Sequence, residues 1–64
     1  MPETFIPHRG ENYWCINITA EDGVFCTPNA GTRLDRMFIK MGVWRTKEEA
    51  MMVVNAIFNI EKDS

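Results

Sequence analysis

The stretch TKEEAMMVVNAIFNIEK, residues 46–62, constrains this chain more than any other. Thr46 and Glu49 have the T-x-x-E spacing of a capping box, which satisfies orphan N–H groups at a helix start. Glu48 and Glu49 suit the positive end of the helix dipole. No glycine or proline follows, so a helix over 46–61 is predicted. At 100° per residue, Ala50, Met51, Val53, Val54, Ala56, Ile57, Phe58 and Ile60 cover roughly 220° of it. The polar stripe of Glu48, Asn55, Asn59 and Lys62 is narrow. A helix resting on a small sheet needs an apolar arc of only ~100° or somewhat more. The surplus requires cover from the rest of the chain or from a second copy. A homo-oligomer is therefore expected, with Met51, Met52 and Phe58 as the self-association residues.

The rest of the chain has little cover to offer. Its 64 residues make at most one domain, and such a domain buries only ~60% of the surface its unfolded chain exposes. Residues 1–11, with Pro2, Pro7 and Gly10, read as an extended lead-in whose Phe5 and Ile6 can dock on a neighbour. Residues 13–27 read as a β-hairpin. YWCINIT alternates, with Trp14, Ile16 and Ile18 on the expected core face. AEDG supplies the turn and VFCT the return strand, ended by Pro28. A loop of Glu21-Asp22-Gly23 sets Ala20 opposite Val24 and puts Cys15 and Cys26 on opposite faces. A loop of Asp22-Gly23 sets Cys26 opposite Thr19 and leaves the cysteines ~13 Å apart along the strand. Neither register permits a disulfide, so both thiols are expected to be free packing groups.

Residues 33–41 are open to two readings. Leu34, Met37, Phe38 and Met41 fit one helix face, Thr32 and Asp35 resemble a cap, and Gly42 suits a C-terminal stop. MFIKMGVW also alternates as a strand would. The helix is the preferred reading. The predicted fold class is α+β: a hairpin, a short middle helix, and a C-terminal helix packed on the sheet.

Composition excludes several function classes. The net charge is −2 and the pI about 5.2, which argues against a nucleic-acid footprint. Only His8, Cys15 and Cys26 are soft donors, too few for a structural metal. No cofactor motif is present. No apolar run approaches the ~20 residues of a membrane helix or has signal-peptide length, so a cytoplasmic protein with reduced thiols is expected. His8 stands beside Pro7 and Arg9 with no group to orient it as a base. Neither cysteine has a placed His or Asn partner, and the adjacent Glu48 and Glu49 point ~100° apart. No catalytic residue is assigned.

The basic residues offer more. Arg33, Arg36, Lys40, Arg45 and Lys47 all fall between positions 33 and 47. On a helix, Arg33, Arg36 and Lys40 share a face, and Arg45 and Lys47 flank the start of the last helix, where anions are favoured. With Asn29 nearby, and Trp44 or Tyr13 to stack on a base, they form a candidate site for a phosphorylated nucleotide. The plainer reading of these cations is a solvated helix face. Trp44 is expected to pack first of all at the joint between the last helix and the sheet. That leaves only its indole N–H and one edge for a ligand.

Two stretches resemble a known group. PHRGENYWCI matches P-x-x-G-E-x-Y-W-x-I, and GVWRTKEEA is similar to G-N-x-F-x-T-x-E-E-A. Together they resemble small accessory proteins of bacteriophages and prophages, mainly of Firmicutes. The resemblance covers about residues 7–56. It departs in a longer hairpin, in the missing asparagine after Gly42, and in Trp44 where phenylalanine is usual. It implies a source rather than an activity: most such proteins look like accessory-gene products without an assigned function, and small phage proteins of this size often counter host defences by binding something. The expectation is therefore a non-catalytic binding protein that counters host defence in the bacterial cytoplasm, with sequestration of a phosphorylated, cyclic nucleotide signal inside an oligomer as the preferred mode. Its alternatives are an inhibitor that binds a host defence protein through the hairpin face, and a small nucleic-acid-binding regulatory module.

Overall fold

The computed structural model describes residues 2–58. Strand β1 (Asn12–Ile16) pairs antiparallel with β2 (Val24–Pro28); helix α1 (Arg33–Met41) and helix α2 (Lys47–Phe58) follow. This is the expected α+β order, with 33–41 helical rather than extended. The part of the predicted last helix beyond Phe58 lies outside the described residues.

The hairpin register differs from both expected ones. Ile16 lies opposite Val24, Cys15 opposite Phe25 and Trp14 opposite Cys26, so residues 17–23 form the connection. The cause is Asn17. Its side-chain oxygen accepts from the Thr19 N–H at 3.0 Å and the Thr19 hydroxyl at 2.6 Å. Its carbonyl accepts from the Ala20 N–H at 3.0 Å, and that of Ala20 from the Gly23 N–H at 3.1 Å. Local bonds of this kind compete with a strand ladder. They end β1 after Ile16 and throw Ile18 out of the predicted core face to 77% exposure. The cysteines fall on opposite faces and are free.

A strand beside β2 on one edge needs a partner on the other. Trp44 supplies it: the backbones of Trp14 and Trp44 exchange two hydrogen bonds of 2.8 Å. The N-terminal arm then closes over residues 42–44. The Phe5 N–H donates to the Val43 carbonyl at 3.1 Å, and the Trp44 indole N–H donates to the Pro2 carbonyl at 3.3 Å. Gly42 permits this approach. Its φ is +120°, and a Cβ there would meet Thr4 Cγ2 at 3.1 Å.

Both faces of the small sheet are covered. Val24, Trp44, Ala50, Val53 and Val54 form one core cluster under α2, joined by Trp14, Ile16 and Met51. Tyr13, Cys15 and Val43 form the other, closed by Phe5, Phe38 and Ile39. Thr46 caps α2 by accepting from the Glu49 N–H at 3.2 Å, and its hydroxyl donates to the Glu49 carboxylate at 3.0 Å.

Helix α1 is anchored by a polar group. Its predicted apolar face was Leu34, Met37, Phe38 and Met41, but the docked face is Asp35, Phe38 and Ile39. Asp35 is 6% exposed. Its carboxylate accepts from the Tyr13 hydroxyl at 2.6 Å, the Ala30 N–H at 3.0 Å, and the Thr32 N–H and hydroxyl at 3.1 and 2.7 Å. The Thr32 oxygen accepts from the Asp35 N–H in return, which completes a capping box.

These donors, Tyr13 first and Thr32 next, hold the Asp35 carboxyl at about 2, below its ordinary 3.8. Burial, then the bond to Asp35, pushes the Tyr13 hydroxyl above its ordinary 10.0. A lowered carboxyl stabilises the fold above the unfolded value, and that contribution is lost as pH falls from about 4 towards 2. A raised phenol works oppositely: stability falls as pH climbs past about 10. Tyr13→Phe is expected to cost about 1.5–3 kcal/mol, as for a hydrogen bond to a charged group. It should also move the acid unfolding midpoint upward and flatten the alkaline limb. Thermal melts of both proteins from pH 2 to 11 check this; superimposable acid limbs would contradict it.

Candidate functional site

The residues expected to hold a nucleotide are not brought together. Tyr13 is fully buried and its hydroxyl is committed to Asp35. Trp44 is 7% exposed, its indole N–H is taken by the Pro2 carbonyl, and it lies in the core cluster on the opposite face of the sheet. Tyr13 presents no face on which a base can stack, and Trp44 reaches the surface only where it lines the groove between the helices. Asn29 is a loop clasp: its side chain donates to the Pro7 carbonyl at 3.0 Å and accepts from the Gly31 N–H at 3.1 Å. Its backbone bonds Gly10 and Glu11.

The cations divide. Arg45 lies 4.3 Å above the Phe5 ring and 3.7 Å from the Glu11 carboxylate. Lys47 lies 3.0 Å from Asp22, whose carboxyl it lowers through a hydrogen bond, and 6.0 Å from the Trp14 ring centre. Glu11 precedes β1 and Asp22 belongs to the loop beyond its far end, so the two are drawn apart. Arg33, Arg36 and Lys40 are exposed on one face of α1. Neither helix start is free for an anion: the Asp35 carboxylate fills that of α1, and Glu49 stands at that of α2.

What the structure does assemble is apolar. Helix α2 ends with Ile57 and Phe58 exposed, and the 17–23 connection lies beside it, with Gly23 close to Val54 and Asp22 paired with Lys47. Ile16, Ile18, Phe38, Met41, Val53 and Ile57 line an open groove between the two helices. A second hollow lies between that connection and α2, with Ile18, Met51, Val54 and Phe58 as its apolar lining and Glu21, Asp22 and Asn55 as its polar one. Ile18 lines both. Met41 is 75% exposed; Ile57 and Phe58 are about half exposed. Leu34 and Met37 of α1 are exposed too. Monomers rarely leave contiguous apolar areas of this kind without a use for them.

Sequence reasoning placed the surplus on α2 but missed the groove. Of the three expected self-association residues, Met51 is half-buried against the core, while Met52 and Phe58 are exposed. The hairpin face offered to a partner is mostly closed as well, since Tyr13 and Cys15 are interior and Phe25 alone of the three is exposed. Ile18 and Met41 carried a signal, as apolar residues next to an Asn-x-Thr turn and at a helix end, but the strand pattern masked it.

No protein-family model, no curated protein and no solved structure matches this chain. Among the described residues, no group of three His, Cys, Asp or Glu is placed to hold a metal, and no helix is long and apolar enough to cross a membrane.

The thiols differ in burial. Cys15 is buried, its Sγ lies 3.5 Å from the Phe25 carbonyl, and burial pushes its pKa up. Cys26 is half-buried. Iodoacetamide should modify Cys26 well before Cys15 in the native protein and both at similar rates in denaturant. Peptide mapping over time reads this directly, and faster modification of Cys15 would contradict it.

Proposed function

We propose that this chain is a non-catalytic protein-binding module whose working surface is the apolar groove between α1 and α2. The supporting observation is the groove itself: apolar side chains from both helices and the hairpin connection converge there, and Ile18, Met41 and Ile57 stay exposed. Such a surface suits the hydrophobic core of a protein interface. The resemblance to small phage and prophage proteins makes a host defence protein the expected target, and inhibition by occlusion the expected effect. Sequestration of a cyclic nucleotide has less support, because Tyr13 and Trp44 lie in the core and Arg45 is paired. Titration calorimetry against a panel of cyclic nucleotides is expected to find nothing tighter than ~10 µM, about 7 kcal/mol. Met41→Glu and Ile18→Glu alter exposed positions, so both should leave the melting temperature nearly unchanged. Both should abolish stoichiometric capture of the host protein that the unmodified chain retains. Capture undiminished in both variants would sink this reading.

Self-association is the second reading, favoured by the exposure of Met52, Ile57 and Phe58 on α2. Light scattering at micromolar concentration is expected to give a multiple of 7.4 kDa that Phe58→Glu lowers. A strict monomer would remove it.

A further inference from the structure

Helix α1 carries three stripes. Asp35, Phe38 and Ile39 face the core. At 100° per residue, Arg36, Lys40 and Arg33 occupy an arc of about 60°, and Met37, Met41 and Leu34 occupy the next such arc beside it. All six are exposed. Among the described residues the basic stripe has no ion-pair partner. The ion pairs among the described residues are those of Arg45 and Lys47, and the one carboxylate on α1, Asp35, is turned inward with four donors around it. Three positive charges thus stand in a row on a chain whose net charge is −2. Met41 belongs both to the apolar stripe and to the groove, so the charged row runs along one margin of the apolar surface.

We infer that this margin selects the partner: the groove takes an amphipathic helix whose apolar face enters it and whose one flank is acidic, aligned with Arg33, Arg36 and Lys40. The inference rests on the protein-binding reading and names the chemistry of the bound segment. Helix-in-groove recognition uses apolar anchors at i, i+3, i+4 and i+7, and the seven steps from Arg33 to Lys40 make two turns, about 10 Å. Acidic residues one turn apart on the partner would match it. A second copy of this chain meets the margin poorly, because a two-fold contact through it sets cations against cations. A nucleic acid would satisfy the charges and leave the apolar stripe in water. A flat membrane is a poor match for a groove whose Phe38 is half-buried and whose Val53 is buried.

Selection from a displayed library of helical peptides tests this. The apolar frame is fixed and the flanking positions vary among Glu, Lys and Gln. The bait is the whole chain, either unmodified or carrying R33E, R36E and K40E together. Glutamate should be enriched on one flank against the unmodified chain and lysine on the same flank against the variant. The best acidic peptide, followed by fluorescence anisotropy, should bind the variant about ten-fold or more weakly and weaken with added salt. Met41→Glu should remove binding altogether. Thermal melts establish that each variant is folded. Binders that show no flank preference, or the same one against both baits, overturn the charge inference and leave the groove reading standing. Binders indifferent to Met41→Glu, or no binders at all, overturn both. Sedimentation of the unmodified chain, but not the triple variant, with phosphatidylserine-rich vesicles would assign the basic row to a lipid surface and overturn the peptide inference.

Discussion

The contact between Asp35 and Tyr13 decides the arrangement of everything around it. A carboxylate withdrawn from water is costly unless every lone pair finds a donor. Asp35 meets that demand with donors from three places: the loop before α1, the cap residue Thr32, and β1. An apolar contact could be met in several rotations of the helix; this one fits a single orientation, because the Tyr13 hydroxyl and the loop amides converge on one point. Helix α1 is therefore turned about one residue away from the rotation its apolar residues would choose. Phe38 and Ile39 go in, and Leu34, Met37 and Met41 stay out. The exposed apolar stripe is a consequence of a polar anchor.

The second constraint is the shortness of the sheet. Two strands of five residues are marginal alone. Trp44 extends them by one bridge and the N-terminal arm by one bond, so residues far apart in sequence finish the same sheet. Asn17 sets the limit at the other end. Helix α2 is longer than the surface it rests on, and Ile57 and Phe58 remain exposed. Arg45 and Lys47 sit at the seam between sheet and α2, where nearby carboxylates and rings engage them.

Much of this was legible from local chemistry. The cap pairs Thr32/Asp35 and Thr46/Glu49, the stop at Gly42 and the alternation through Tyr13–Ile16 depend on neighbours within a few residues, and such signals survive reading one residue at a time. The register did not, because Asn17 looks like a strand residue by spacing and like a turn residue only by its side-chain bonds. The fates of Tyr13, Trp44 and Asn29 were hidden for a different reason. Their partners Asp35, Pro2 and Pro7 lie at least 22 residues away, and no periodicity reports such a pairing. Aromatic and amide groups that looked available for a ligand were already bound within the chain.

That outcome shifts where binding can occur. Groups with strong, directional chemistry are the ones most readily satisfied internally in so small a fold, since a single partner suffices for each. Apolar area is different. It can be removed from water only by other area, and a chain of 64 residues has too little of it. Among the described residues, what stays exposed around the groove is largely apolar, with the cations of α1 beside it. On the proposed protein-binding reading, recognition rests on shape and burial first and on charge second. The partner it suits best has both an apolar face to bury and carboxylates to set against Arg33, Arg36 and Lys40.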